Sequence, residues 1–307
     1  MINRRKIFIL LLTVMYILFI SVTPVFALSQ PGQSTTPATI ITEPGQRVAI
    51  TESSEFEAIL DLKSSSNAEL KAAGYNNSDI IKIRAFSLEK AVLERARLPE
   101  ETLRNMGYTD YQIQLLKNYK GLPITKNSPI MAASATLYGV ISLDGWSNSY
   151  KTIQFNYSWS WSAQPLALMT DGVGVNWRAY NATGGLQGTD IVSKSHVIKE
   201  YYMNTMNFFG SKNVSVEPDG IYDGVESHFS IVRSTLYEEY WARTGILTIK
   251  LASTGSQAVP FEKVDVAGAY GHAIISLSWT ISIGSYPNIS VNTSVNKLGT
   301  DQVRFTY

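Results

Sequence analysis

Ile153-Gln154-Phe155-Asn156-Tyr157-Ser158-Trp159-Ser160-Trp161-Ser162 alternates five large apolar residues with five polar ones without a break. Successive side chains of a β-strand point to opposite faces, so this run puts Ile153, Phe155, Tyr157, Trp159 and Trp161 on one side and amide or hydroxyl groups on the other. A face that heavy in aromatic surface belongs in a core. Ile275-Ser-Leu-Ser-Trp-Thr-Ile-Ser-Ile283 repeats the pattern.

Around these two runs lie further strand candidates: Ala135 to Leu143, Leu166 to Tyr180, Ile191 to Met203, Val225 to Leu236, Tyr240 to Ala252 and Gln302 to Tyr307. The turn dipeptides Asp144-Gly145, Asp171-Gly172, Asp219-Gly220 and Asp223-Gly224 punctuate them. Eight to ten strands without alternating helices predict an antiparallel β-sandwich over residues 130–307, with a closed β-barrel as second choice.

The preceding stretch reads differently. Residues 52–126 hold 11 basic and 11 acidic residues, whereas residues 130–307 hold only 11 and 13 and contain all six Trp. That drop in charge density places a boundary near Asn127-Ser128-Pro129. Within the charged stretch, Leu70-Lys-Ala-Ala-Gly74-Tyr75-Asn-Asn-Ser-Asp-Ile80 matches Leu103-Arg-Asn-Met-Gly107-Tyr108-Thr-Asp-Tyr-Gln-Ile113. In each copy Gly supplies a left-handed helix end, Tyr packs back, and Asn76 or Thr109 caps the next helix. Thr109 and Gln112 have capping-box spacing, and Leu98-Pro99-Glu100-Glu101 marks another helix start. Residues 50–126 are therefore expected to be a helical-repeat module of helix-turn-helix units, which makes the whole chain α+β with segregated parts. The Met106-Gly107-Tyr108 turn resembles the loop of ubiquitin-associated three-helix domains, but over too short a stretch to imply ubiquitin binding.

Arg4, Arg5 and Lys6, the apolar run Ile7 to Ile20 and the small residues of Val25-Phe26-Ala27 have the layout of a secretory signal spanning residues 1–27, with cleavage after Ala27. Without its three basic residues the chain carries 23 positive and 25 negative charges. Residues 28–49, rich in Ser, Thr, Pro, Gln and Gly, are expected to be a disordered linker. The near-neutral charge provides no footprint for nucleic acid, and no segment after the signal is apolar enough to anchor the mature chain in a membrane. The absence of Cys excludes disulfides, thiolate metal sites and thiol nucleophiles, and with an export signal it fits a bacterial secreted protein.

No constellation names a reaction. His196, His228 and His272 are far apart, lack metal-ligand spacing, and have no Gly-x-Ser-x-Gly elbow to serve. Asp219, Asp223 and Glu226 are the oxygen ligands that could take a calcium ion, and no other cofactor is expected; Glu238 and Glu239 complete the acid-rich region from which a glycosidase pair would come. The aromatic residues are more suggestive. Tyr157, Trp159, Trp161, Tyr201 and Tyr202 are available for core or stacking, while Trp146, Tyr150, Trp177 and Tyr180 are the candidate ligand-binding residues, with Trp146 and Tyr180 beside turns. The expected function is extracellular, non-catalytic binding of a cell-wall or carbohydrate polymer. A pore-forming toxin with amphipathic hairpins and a secreted glycan hydrolase are the alternatives.

Overall fold

The computed structural model describes residues 39–306 apart from 42–43, 150, 204, 206, 219–222, 237, 255–257, 274–279, 284–288, 293–294 and 299–301. The expected signal and the first part of the linker lie outside the described residues. Thr36–Tyr307 is one compact unit. In chain order its elements are β1 (Thr39–Ile41), β2 (Arg47–Ser54), α1 (Glu55–Ser64), α2 (Asn67–Ala72), α3 (Asn77–Ala85), α4 (Leu88–Arg97), α5 (Glu100–Asn105), α6 (Asp110–Asn118) and a 3-10 turn at Pro129–Ala133. Then come β3 (Thr136–Ser147), β4 (Thr152–Trp161), β5 (Thr170–Tyr180), β6 (Leu186–Gln187), β7 (Thr189–Tyr202), β8 (Phe208–Val214), β9 (Glu217–Pro218) and β10 (Gly224–Ser230). The chain continues through β11 (Val232–Ser234), β12 (Glu239–Ser253), β13 (Lys263–Ala273), β14 (Thr280–Ile283), β15 (Ile289–Asn292), β16 (Val295–Leu298) and β17 (Gln302–Thr306).

One sheet runs β1-β17-β13-β5-β10-β9, with β16 also on β13 and β6 on β5; the other runs β2-β3-β4-β12-β7-β8, with β11 on β12. Among the described residues all pairs are antiparallel except β1 with β17. Among the described residues no ladder joins the two sheets, so this is a sandwich rather than a closed barrel. β4 shows why. Its apolar face, Ile153, Phe155, Tyr157, Trp159 and Trp161, is at most 2% exposed. Phe155 meets Trp177 and Phe305 of the opposite sheet at 6.1 and 5.9 Å, and Trp159 stacks on Phe229 at 5.0 Å. Aromatic rings from both inner faces thus fill the layer between the sheets.

β13 is buried along almost its whole length, as is the middle of β5. Gly172, Gly174, Ala267, Ala269 and Gly271 lie together on the face of these strands away from the sandwich core, and the β14–β15 ribbon packs against both strands. Small side chains let the added layer approach. Of the alternating run Ile275 to Ile283, only Thr280–Ile283 is among the described residues, as β14.

The helices begin where caps allow. Ser54, Ser66, Asn76, Ser87 and Thr109 each accept a hydrogen bond from the backbone of the following turn, and Ser66, Asn76 and Thr109 form full capping boxes with Glu69, Asp79 and Gln112. Both Gly-Tyr turns are Schellman ends: Gly74 and Gly107 have φ of 93° and 88°, and Tyr75 and Tyr108 donate their N–H to Leu70 and Leu103 carbonyls. They pack differently. Leu70, Tyr75, Ile80 and Ile83 form a small separate cluster, whereas Leu103, Tyr108, Ile113 and Leu116 belong to the core of the sandwich. Strands also enter the stretch expected to be a linker: β1 pairs with β17 and β2 with β3, because an open sheet edge accepts any extended segment that brings its own N–H and C=O groups.

Candidate functional site

The sequence candidates scatter. Trp146, half-buried at the end of β3, meets Phe261 edge-on at 6.5 Å and donates its indole N–H to Asn148. Trp177 is 2% exposed and gives its N–H to Thr189, so it offers no face to a ligand; an inward position on β5 takes it into the core. Tyr180 is half-buried under Lys263, whose Nζ stands 4.2 Å from the ring centroid. Tyr150 and Asp219 lie outside the described residues. Asp223 accepts from Thr189 Oγ1 at 3.1 Å, while Glu226 pairs with His228 at 3.8 Å. Among the described residues no three His, Asp or Glu side chains form a metal-ligand group.

A part-exposed aromatic row stands elsewhere, at one end of the second sheet. β11, β12, β7 and β8 are adjacent there, and Arg233 pairs across the ladder with Tyr240, which pairs with Tyr202. A register shift between Glu200 and Tyr201 leaves Phe209 as the extra residue of β8, between the pairs Glu200–Gly210 and Tyr201–Phe208, and its ring meets Tyr202 edge-on at 5.3 Å. Tyr240, only 4% exposed, backs the cluster, with centroids 5.2 Å from Tyr202 and 3.9 Å from Phe209. The Arg233 guanidinium lies 5.5 and 5.1 Å from the Phe209 and Tyr240 ring centroids and is held by two hydrogen bonds from Nε and Nη2 to Glu200. A bidentate carboxylate fixes the plane of the cation, and the cation in turn fixes the rings. Phe209 is 40% exposed, neighbouring Phe208 54%, and Leu236 at the β11–β12 turn 92%. The result is a braced cluster of tilted and edge-on rings with an apolar, part-exposed outer side.

Sequence reasoning singled out Tyr202 but missed Phe209, Tyr240 and Arg233. A signal was present: Tyr201-Tyr202 and Phe208-Phe209 are aromatic doublets on either side of a short turn, and in a strand adjacent residues cannot both face inward.

The acids near this row are committed: Glu200 to Arg233, Glu238 to the Tyr240 hydroxyl at 2.8 Å, and Glu239 to Ser234. The carboxylates that do converge, Glu55 and Asp171 around His272, are all 0% exposed, out of reach of a glycan. His196 and Ser227 also fail as a nucleophilic pair. His196 Nε2 accepts from Trp159 at 3.1 Å, which leaves the proton on Nδ1, facing Ser227 Oγ at 2.8 Å; Ser227 donates onward to the Ser215 carbonyl at 2.7 Å. The proton therefore points the wrong way for His196 to act as a base toward Ser227. Burial pushes this histidine down to about 4, keeping it neutral.

No protein-family model matches the chain, and no curated protein matches its sequence. Among solved structures, the chain is similar to the C-terminal domain of the Streptococcus agalactiae AgI/II polypeptide BspA (9% identity, 56% of this chain and 58% of that one, TM-score 0.30). It is similar also to ACE19, the collagen-binding subdomain of the Enterococcus faecalis surface protein ACE (9%, 53% and 90%, TM-score 0.24). A third is AvmM, which catalyses macrocyclization in alchivemycin A biosynthesis (9%, 55% and 89%, TM-score 0.26). Likenesses this distant define neither ligand nor activity for this chain.

Proposed function

We propose that this chain is an exported, non-catalytic binding protein whose β-sandwich holds a carbohydrate or cell-wall polymer on the accessible parts of Phe209, Tyr202 and Arg233, which are backed by the buried Tyr240. The carrying observation is the braced, part-exposed aromatic surface at the end of the second sheet, with Phe209 40% exposed. Sugar rings present C–H faces that pack on aromatic faces, and a neighbouring guanidinium supplies donors to their hydroxyls. The basic, apolar leader supports export. The helices α1 to α6, read as a repeat module, would serve to dock a partner. A lipid-inserting role is less well supported, because the apolar face of β4 that would meet the bilayer is already packed inside the sandwich.

Co-sedimentation of the chain from residue 28 onward with purified cell walls, insoluble polysaccharides and liposomes tests the proposal. Binding to one of the polymers, weakened at least about tenfold by Phe209→Ala with Tyr202→Ala while the unfolding transition is retained, is the expected result. Wild-type protein that stays in the supernatant with every polymer, or that pellets only with liposomes, overturns it.

A further inference from the structure

The helices and the sandwich meet at a group of buried charges that the proposed binding surface does not use. Gln164 to Ala167, the segment leading out of β4, is gripped from both sides. Arg95 of α4 donates to the carbonyls of Gln164 and Pro165 at 3.1 and 3.0 Å, and Glu55, the first residue of α1, accepts from the N–H groups of Leu166 and Ala167 at 2.8 and 3.0 Å. Tyr108 adds its hydroxyl to the Gln164 carbonyl at 2.9 Å and accepts from Arg95. Behind Glu55 stands His272 of β13, its Nε2 3.7 Å from the Glu55 carboxylate and its Nδ1 2.8 Å from Asp171, the cross-strand neighbour on β5. Tyr270 donates its hydroxyl to the other Asp171 oxygen and accepts from the Trp161 indole at 3.3 Å. The His272 ring packs against Trp161 at 4.8 Å. Glu55, Asp171 and His272 are 0% exposed.

Two carboxylates on opposite sides of one buried imidazole are tolerable only while that imidazole carries a proton; without it two like charges share a site that water does not reach. We propose that Glu55, His272 and Asp171 form a proton-held latch that fixes the start of α1 and the Gln164–Ala167 segment to the sandwich and loosens as the pH rises. The groups facing His272 are Asp171 from β5, Glu55 from α1 and Tyr270 from its own strand; Arg95 and Tyr108 lie beyond the gripped segment. Burial alone would lower the histidine, but Asp171 and then Glu55 outweigh it and hold it up at about 9.

Hydrogen exchange on the whole chain from residue 28, corrected for intrinsic rate, tests this at about pH 7 and about pH 9.5. Leu166, Ala167 and the amides of α1 should lose at least about tenfold more protection than those of β4 and β12 on going to the higher pH. Glu55→Gln, which removes one of the opposed charges but sets an amide donor against one of the two N–H groups that Glu55 holds, should be looser at both pH values and lose most of that difference. His272→Gln should show the loosened pattern already at neutral pH. Equal changes in both regions of the wild-type protein, or a Glu55→Gln protein as pH-sensitive as wild type, would overturn the latch.

Discussion

A Cβ placed on Gly245 would stand 2.5 Å from the indole of Trp159, its neighbour across the β4–β12 ladder. The ring cannot easily give way, because its N–H is bound to His196 and its face to Phe229. Gly245→Ala should therefore destabilise the fold by about 1–3 kcal/mol, seen as a lower urea midpoint at unchanged slope; an unchanged midpoint would mean that the indole swings aside. The two buried histidines predict opposite limbs of a pH profile. His196 sits at about 4 when folded, below the 6.5 of a free imidazole. Between those values the unfolded chain binds a proton that the native one does not, so stability falls by up to about 3 kcal/mol as the pH drops through that window. His272, at about 9 when folded against 6.5 free, contributes stability that is complete below 6.5 and is lost as the pH rises toward 9. Urea midpoints should thus be highest where the two windows meet, near the 6.5 of a free imidazole, with His196→Gln flattening the acid limb and His272→Gln the alkaline one. Midpoints constant from about pH 5 to about pH 9 would contradict both assignments.

At the scale of elements, what the sequence revealed depended on how many faces of each element are buried. β4 was legible because one face is core and the other carries Gln, Asn and Ser, giving the period of two directly. β13, Lys-Val-Asp-Val-Ala-Gly-Ala-Tyr-Gly-His-Ala, was not, because both of its faces are covered and small residues replace the alternation. β8 escaped for the opposite reason: an edge strand with mostly exposed side chains needs no apolar pattern. The Gly-Tyr helix ends were readable to the residue, since a φ near 90° leaves glycine as the residue of choice. Gly107→Ala should accordingly cost about 1 kcal/mol through backbone strain, measured as a lowered Tm. Gly145 lies outside the left-handed region and has open space on the side where a Cβ would project, so it should tolerate the same change far better. The aromatic row was half legible. Tyr202 could be named, but its partners Tyr240 and Arg233 reach it through ladder pairings that no local pattern specifies.

On the scale of the whole molecule, charge composition marks a change near residue 128, yet the packing runs across it. Phe56, Leu88, Leu103 and Leu116 from the helices share one core with Leu137, Phe155 and Val266. Glu55 and Arg95 satisfy backbone groups of Gln164 to Ala167, and β2 pairs with β3 from Arg47 to Ser54. Residues 130–307 produced alone would lose all three supports. Such a fragment is expected to aggregate or to unfold without a cooperative transition, checked by size-exclusion chromatography and urea denaturation; a monomer as stable as the full chain would refute this.

The parallel pairing of β1 with β17 has a mechanical consequence. Thr39 lies beside Val303 and Ile41 beside Phe305, so the chain enters β1 at one end of the pair and leaves β17 at the other. Tension applied through the two outgoing chains runs along the strands in opposite directions and loads their hydrogen bonds together in shear, rather than opening them one at a time as a zipper would. Force carried by those two chain segments would meet that resistance at the β1–β17 pair.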